Sequence, residues 1–343
     1  MTTAAGGLIN AGMVPGGAIG NELAAITRRA FIPHLVVQIY QATPTLQMLM
    51  RGAQRAKGGV GNITVPVQGS SLVTAEWTDF GGGFTQPADQ TGLQDAAANL
   101  TVLAVPIPFF GMESLIQSSE VIIPRLKTKM ADAYQVSVQT ISNALFAFNT
   151  NQTIMAGLPQ AYDDGTGASS IYANIDRSVT ANAFWKAQEN ATAGAILTRA
   201  LMSTALVQTT AAAGGEAPDL VIMSASDWTT LMTDFMSVER YDTMPGVRYG
   251  KNDPVNAGFR ALMLGDTPIV ADLYCPKGTA YMINTKYYAL YLSEDAPFAF
   301  SGFYSTIPNN QIANVGVMIV ALQTLSVKPV SGRKLLGITG GAF

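Results

Sequence analysis

Two alternating apolar runs, separated by a glycine-rich stretch, constrain the fold of this chain more than any other feature. The apolar positions are Ile63, Val65 and Val67 in the first run and Leu103, Val105 and Ile107 in the second. A period of two residues is that of a β-strand with one protected face. Because Gly81–Gly83, Pro87 and Gly92 lie between the runs, the segment predicts two long strands that close on a flexible tip.

Such a projecting hairpin cannot bury itself, since two strands alone are only marginally stable in water. We therefore expect residues 57–109 to leave the body of the subunit and to be buried against an adjoining copy. The candidate contact residues are the apolar side chains of the strands and the aromatic side chains of the tip. They are Ile63, Val65, Val67, Trp77, Phe80, Phe84, Leu103, Val105 and Ile107.

The segment after the hairpin carries the clearest helical pattern in the sequence. Its apolar residues recur at steps of three or four and form one stripe; they are Ile123, Leu126, Met130, Tyr134, Val138, Ile141, Leu145 and Phe148. Pro124 suits the first turn of a helix that begins near Ser119. We predict one helix over residues 119–149, close to 40 Å long at 1.5 Å per residue, that forms the backbone of the fold.

The rest of the chain predicts an α/β lobe followed by strands. The lobe contains a helix over Ala195–Ala213, a buried strand over Leu220–Met223 and a second helix capped by Ser226. The later strands are Ala261–Leu264, Ile269–Leu273, Ala280–Asn284, Tyr288–Ser293 and Gln311–Val327. Residues 1–20, rich in glycine, alanine and threonine, predict an arm that orders only against a partner.

The composition indicates a protein whose surface meets other protein. Hydrophobic residues make up 48% of the 343 residues and charged residues only 13%, about half the charge of a typical soluble domain. A weakly charged, apolar-rich surface aggregates unless specific interfaces bury it. The net charge is −3 and no basic block occurs, so the chain is not expected to bind a phosphate backbone tightly.

Residues that usually carry chemistry are scarce. His34 and Cys275 are the only histidine and cysteine of the chain, so a histidine-based nucleophile relay would have to use His34. We interpret His34 as packed at a helix start, Cys275 as a small buried residue and Asp163–Gly167 as a turn, since the acidic spacing of a calcium loop is missing. We expect no catalytic residue, cofactor or metal site. An α/β enzyme that uses residues 194–300 is the alternative from another functional class.

No membrane association is expected either. The longest apolar runs, Leu103–Met112 and Val315–Leu322, are far shorter than the roughly twenty residues that cross a bilayer. The first twenty residues lack the cationic start and the continuous apolar stretch of a signal peptide.

In the order of arm, hairpin, long helix, α/β lobe and closing strands, the chain resembles the major capsid protein of tailed bacteriophages. The Hong Kong phage-type fold of that family is shared with encapsulins and with the herpesvirus capsid floor. Residues Ile175–Ser178 followed by Phe184–Lys186 are similar to a segment common after the long helix of such proteins. The resemblance implies an α+β fold with an N-terminal arm (1–56), an extended β-hairpin loop (57–109), a peripheral domain (110–193 and 301–343) with the spine helix 119–149, and an axial α/β domain (194–300).

The resemblance also implies a function and a set of partners. The subunit would form hexamers and pentamers of an icosahedral shell around double-stranded DNA, assembled in the host bacterial cytoplasm and found in the virion, with a portal protein and only weak, non-specific contact with the DNA. Members with a built-in scaffold carry a long charged helical region at the N-terminal end, where this chain has only about twenty small residues, which implies a separate scaffolding protein or none. Residues 58–124 contain no lysine for the isopeptide bond that some members form, which favours a cement or decoration protein or strong contacts of the arm. An encapsulin-like compartment with an enzyme cargo is the alternative, and the sequence barely separates the two.

Overall fold

The computed structural model describes residues 43–56, 61–70, 75–82, 92–110, 119–149, 153–166, 170–191, 196–236, 261–295, 298–305 and 313–338. Most of the predicted arm lies outside the described residues, and so do His34 and Phe84. The helices are α1 Pro44–Arg51, α2 Ser119–Phe146, α3 Leu158–Ala161, α4 Arg199–Ala212 and α5 Ala225–Met236, with 3₁₀ turns at Thr180–Trp185 and Pro329–Ser331.

Fifteen strands are found among the described residues, numbered here in chain order. The strands are β1 Gln54–Ala56, β2 Asn62–Gln68, β3 Leu93–Asn99, β4 Thr101–Phe110, β5 Ile171–Tyr172, β6 Ile175–Asp176, β7 Gln188–Ala191, β8 Leu220–Ser224, β9 Ala261–Leu264, β10 Thr267–Asp272, β11 Thr279–Ile283, β12 Tyr288–Ser293, β13 Ala299–Ser305, β14 Ala313–Ser326 and β15 Arg333–Leu336. Two sheets hold most of them, and two-stranded ribbons hold the rest.

The hairpin exists, but its second strand is not the one predicted. Strand β2 pairs antiparallel with β3, whereas β4, which holds the second alternating run, pairs with β14 along its whole length. The run was misassigned because its alternation reflects burial against helix α2, where Ile107 packs with Met130 and Ala133. Strand β3 gave no signal because it contains Ala96–Ala98, and alanine has a low β propensity.

A five-stranded sheet carries the long helix. Strands β1, β12, β14 and β13 lie side by side in that order, and β4 also pairs with β14. The predicted long helix is confirmed as α2, which spans 28 residues, and its stripe residues from Met130 to Leu145 are buried. Among the helices that the structure describes, none is long and apolar enough to cross a membrane.

The six-stranded sheet joins strands that the prediction assigned to two different domains. Its order is β7-β15-β11-β8-β10-β9, so β15 lies in the same sheet as strands of the domain predicted to end at residue 300. Strand β12, which lies within the bounds of that predicted domain, pairs with β14 in the five-stranded sheet. Leu335 packs in the core of the six-stranded sheet and Tyr288 packs in the larger core. The sheet that each of these strands joins depends on pairing between residues far apart in the chain, so it cannot be predicted from the order of the elements.

Residues 175–186 contain β6 and a 3₁₀ turn, and β6 forms a tight ribbon with β5 in which Ala173 and Asn174 take positive φ angles. One local prediction changes. Helix α5 is capped by Ser224 and not by Ser226, because the Asp227 backbone N–H donates to the Ser224 hydroxyl.

Candidate assembly surfaces

The base of the hairpin is attached to its own chain. Ile63, Val67 and Ala96 belong to the main hydrophobic core. The Ala97 backbone N–H donates to the Ala173 carbonyl at 2.9 Å, and the Gln94 amide donates to Asn182 Oδ1 at 2.9 Å. The end of the hairpin that joins the body is therefore fixed by apolar packing and by hydrogen bonds to residues 170–185.

Three of the predicted inter-subunit contact residues are covered within their own chain. Ile63, Val67 and Ile107 are buried within one chain and have almost no side-chain surface left for a neighbour. Alternation in a sequence shows that one face of a strand is protected, but it does not show which part of the molecule protects it. The remaining strand candidates, Val65, Leu103 and Val105, are half-buried against the same core.

The tip of the hairpin has the opposite environment. Trp77 and Phe80 have relative exposures of 102% and 111%, so neither aromatic ring is covered by its own chain. The Gly82 N–H donates to the Asp79 carbonyl at 2.8 Å and Gly81 takes a φ of +90°, the arrangement of a type II β-turn. Phe80 stands at the corner of this turn. A contact of Trp77 and Phe80 with a neighbouring subunit stays a prediction.

One face of the five-stranded sheet is apolar and open. Val102, Ala104, Pro106 and Pro108 of β4 are exposed, and their partners across the strand pair are Ala321, Ile319, Val317 and Val315 of β14. Strands β4, β13 and β14 contain no charged residue. Pro106 and Pro108 lack the backbone N–H groups that a further strand would need in order to pair with β4. The edge of β4 is therefore blocked against the addition of a further strand. The face is suited to side-chain contacts.

An apolar groove lies where this sheet meets the long helix. It has a volume of about 240 Å³ and lies between α2, the start of β4 and residues 153–155. Val102, Ile141, Ile154 and Leu322 are among the lining residues, and none of the lining residues is charged. The sequence did not reveal this groove, because its walls come from segments far apart in the chain.

A second cavity, of about 280 Å³, lies under the hairpin base and is polar but neutral. Its polar lining consists of the amides of Asn62, Asn99, Asn149, Gln160, Asn174 and Gln323 with Tyr172 and Thr324. Burial raises the pKa of Tyr172 to about 12, so its hydroxyl stays protonated. The lining contains no carboxylate, imidazole, thiol or amine, and it is therefore suited to hydrogen bonding and not to acid–base chemistry.

The thiol of Cys275 is unsuited to nucleophilic chemistry. It is buried and its Sγ lies 3.6 Å from the Thr279 carbonyl oxygen. Burial, with Asp272 and Asp227 nearby, raises the pKa of the thiol well above its usual value, and the thiol is the unreactive form. The interpretation of Cys275 as a small buried residue is confirmed.

Three carboxylates meet near the turn at Asp163. The turn predicted there is confirmed, because the Gly165 N–H donates to Asp163 Oδ1 at 2.8 Å. Asp163, Asp164 and Glu189 bring their carboxylate oxygens within 4.8 Å of one another. The Lys334 ammonium lies 3.7 Å from Asp163 Oδ2 and 3.3 Å from Glu189 Oε2. We interpret the group as a partly buried ion-pair network in which lysine supplies the positive charge.

This interpretation predicts that millimolar calcium leaves the Tm of the wild-type protein unchanged. Lys334→Met is expected to lower Tm by several degrees, because the buried Asp163 and the half-buried Glu189 lose their counter-charge. Calcium should restore part of that loss. Differential scanning fluorimetry with and without calcium measures both effects, and Lys286→Met, at an exposed ion pair, is the control. A calcium-dependent rise of the wild-type Tm would contradict the interpretation.

By sequence, the chain matches no protein-family model and no curated protein. By structure, it is similar to a chain of the cyanophage A-1(L) capsid asymmetric unit, with a TM-score of 0.66 and 16% identity over 87% of this chain and 93% of that one. It is similar to a chain of the capsid of a native GTA particle, with a TM-score of 0.53 and 12% identity over 85% and 90%. It is also similar to a chain of the holo-SrpI encapsulin complex of Synechococcus elongatus, with a TM-score of 0.53 and 9% identity over 86% and 88%. The predicted α+β fold of the Hong Kong phage type is thereby confirmed.

Proposed function

We propose that this chain is the major capsid protein of a tailed bacteriophage, which assembles as hexamers and pentamers into an icosahedral shell around double-stranded DNA. The observation that carries the proposal is the hairpin whose tip exposes Trp77 and Phe80 completely. A single copy leaves these rings in water, and contact with a neighbour would bury them. The fold, which is that of phage capsid chains over most of the length, supports the same function.

The proposed role is mechanical and not catalytic. Helix α2 and the five-stranded sheet share a core that includes Ile107, Met130 and Phe300, and the hairpin base is bonded to the same body. A rigid body with a projecting tip can pass force to the next subunit through the contact that the tip makes. Many such contacts in a closed shell would share the pressure of a packed genome.

The charges favour weak contact with DNA. Arg177 and Arg333 are buried, and Lys286 and Lys328 both pair with Glu216. Affinity for a phosphate backbone comes from basic side chains that displace counterions. With 20 basic and 23 acidic residues and a net charge of −3, a wall built from this chain would let DNA pass without binding it tightly.

Several partners follow from the proposed function. A portal protein would occupy one vertex, and a separate scaffolding protein would guide assembly. The absence of lysine from residues 58–124 leaves the loop without the isopeptide donor of some family members. We therefore propose that a cement or decoration protein, or strong contacts of the N-terminal arm, stabilises the finished shell.

An encapsulin-like compartment is the second candidate, and the similarity to an encapsulin chain favours it specifically. Such a shell would use the same fold to enclose an enzyme cargo. Particles isolated from their natural source distinguish the two, because a phage head yields nuclease-protected double-stranded DNA and a compartment yields a packaged protein.

Electron microscopy of the purified protein tests the proposal. We expect closed shells, or hexameric and pentameric capsomers, when the protein is concentrated under assembly conditions. A protein that stays a monodisperse monomer throughout, by light scattering and by microscopy, would count against any shell-forming role.

A further inference from the structure

We propose that the apolar groove between helix α2 and strand β4 receives the Phe80 side chain of a second copy of this chain. The inference rests on the proposed shell function, because it requires two copies to lie side by side. It adds to that function an acceptor site and a single anchoring side chain.

The chemistry of the groove favours an apolar occupant. At its rim Val102 is 62% exposed and Ile154 is 45% exposed, and Ile141 and Leu322 line it further in. Water in such a place finds few hydrogen-bond partners, so its displacement by an apolar group is favourable. Since no lining residue is charged, a phosphate or a charged side chain would gain no counter-charge there.

The size of the groove favours one aromatic ring. A volume of about 240 Å³ is too small for a folded element and is suited to a single large side chain. Aromatic side chains in fully desolvated pockets are the usual anchors of protein interfaces. Of the large apolar side chains in the described residues, Phe80 and Trp77 are the two most exposed.

Phe80 is the better anchor of the two because its backbone is fixed. It occupies the second position of the Asp79–Gly82 turn, where Gly81 supplies the positive φ that the turn needs. A side chain held at the corner of a tight turn loses little conformational entropy on binding. Trp77, just before the turn, would cover the rim.

The positions of anchor and groove favour a second copy over the same chain. Phe80 is fully exposed in its own subunit and therefore does not fill the groove of its own chain. The length of chain between Gln68 and Phe80 limits the distance from the hairpin base to Phe80 to at most about 40 Å. An anchor and an acceptor at different places on one chain make a heterologous contact, which closes into a ring when repeated around an axis. Hexamers and pentamers are rings of this kind.

Disulfide trapping tests the contact directly. Because Cys275 is the only cysteine and is buried, Cys275→Ala gives a cysteine-free chain into which Phe80→Cys and Ile154→Cys are introduced together. Because the Phe80 ring is lost in this variant, particles are assembled at a protein concentration well above the roughly tenfold rise expected from that loss. Their oxidation is expected to give a ladder of covalent oligomers on a non-reducing gel, up to the size of the capsomer. Each single-cysteine variant should stay monomeric on the same gel.

Phe80→Cys combined with Val207→Cys is the matched control, since Val207 is an exposed valine on α4 outside the groove. A ladder from this pair as strong as that from Phe80 and Ile154 would overturn the inference, and so would a disulfide formed within one monomer. Shells that form without any ladder from the groove pair would also overturn it while leaving the proposed function intact. Failure of the wild-type chain to assemble at all would instead contradict the proposed function.

The contribution of the anchor is measured separately. Phe80→Ala is expected to raise the protein concentration at which shells appear by roughly tenfold or more. Leu273→Ala, at another strongly exposed apolar residue, should leave that concentration unchanged. Equal effects of the two substitutions would mean that Phe80 is no anchor.

Discussion

Replacing Arg177 by methionine is expected to lower the free energy of unfolding by about 3–5 kcal/mol. The side chain is fully buried and its guanidinium donates to three backbone carbonyls. The distances are 3.1 Å from Nε to Trp185, 2.9 Å from Nη1 to Gln160 and 2.8 Å from Nη2 to Ala161. Methionine fills part of the volume but leaves all three carbonyls without a donor, and each buried unsatisfied acceptor costs about 1 kcal/mol or more.

The charge of Arg177 is maintained by its surroundings. Burial lowers the pKa of the guanidinium to about 10, and this is opposed by the Tyr172 ring and by Asp163 and Asp164. The guanidinium carbon lies 4.6 Å from the centre of the Tyr172 ring, a distance that favours a cation–π interaction. The group therefore stays charged at neutral pH and acts as the centre of residues 158–185.

Urea denaturation followed by tryptophan fluorescence measures the loss. Arg177→Lys is expected to be destabilising too, because a single ammonium cannot reach three carbonyls in the geometry of the planar guanidinium. Arg55→Ala, on the exposed strand β1, is the matched control and should change stability by less than about 0.5 kcal/mol. A loss below about 1 kcal/mol for the methionine variant would show that the three hydrogen bonds contribute little.

Gly157→Ala is expected to lower the free energy of unfolding by about 2–3 kcal/mol. Gly157 crosses the C-terminal end of α2, where a β-carbon would lie 2.7 Å from the Leu145 oxygen and 2.8 Å from the Ala144 oxygen, and closer still to that of Ala147. These are backbone atoms, so no side chain can turn aside to make room. Either α2 loses its last turn or α3, which begins at Leu158, moves away.

Gly61→Ala is the matched control for that substitution. A β-carbon at Gly61 meets no atom within 4 Å, so we expect a stability within about 0.5 kcal/mol of the wild type. Thermal unfolding of both variants by circular dichroism gives the comparison. Equal melting temperatures for the two alanine variants would contradict the close approach at the end of α2.

Arg177→Met and Gly157→Ala are also expected to affect the proposed assembly. Arg177 holds the segment whose Ala173 carbonyl accepts from Ala97 of the hairpin, and Gly157 lies next to the residues 153–155 that line the apolar groove. A loosened body would present the tip and the groove in variable positions. Variants that still fold are therefore expected to assemble less efficiently than the two control variants.

Periodic patterns predicted those elements whose burial is set by one neighbouring surface. The stripe of helix α2 was predicted correctly because its apolar steps repeat over several turns, and the strand pattern of β8 and β14 was as clear. The second strand of the hairpin was assigned wrongly, because an alternating run identifies a half-buried strand without identifying its partner. The true partner, β3, has an alanine-rich sequence that carries no such pattern.

The same distinction holds for the candidate sites, where single residues could be predicted from the sequence but their contacts could not. Trp77 and Phe80 could be picked from the sequence as aromatic residues in a glycine-rich tip, and the structure gives them no cover within their own chain. The three acceptors of Arg177 and the Lys334 ion pairs join residues 8–171 positions apart in the chain, and the lining of the groove between α2 and β4 runs from Thr101 to Leu322. No local pattern records such pairs.

The sequence by itself determined the order of elements, the low charge and the near absence of histidine and cysteine, because each of these depends on composition or on neighbouring residues. The tertiary structure decided which strands pair, which apolar faces are covered and which remain open. The physical reason is that burial is a property of the whole folded chain: the side chains of Ile107 and Phe80 are both apolar and both lie in or beside the predicted hairpin, yet one is enclosed by α2 and the other is left in water.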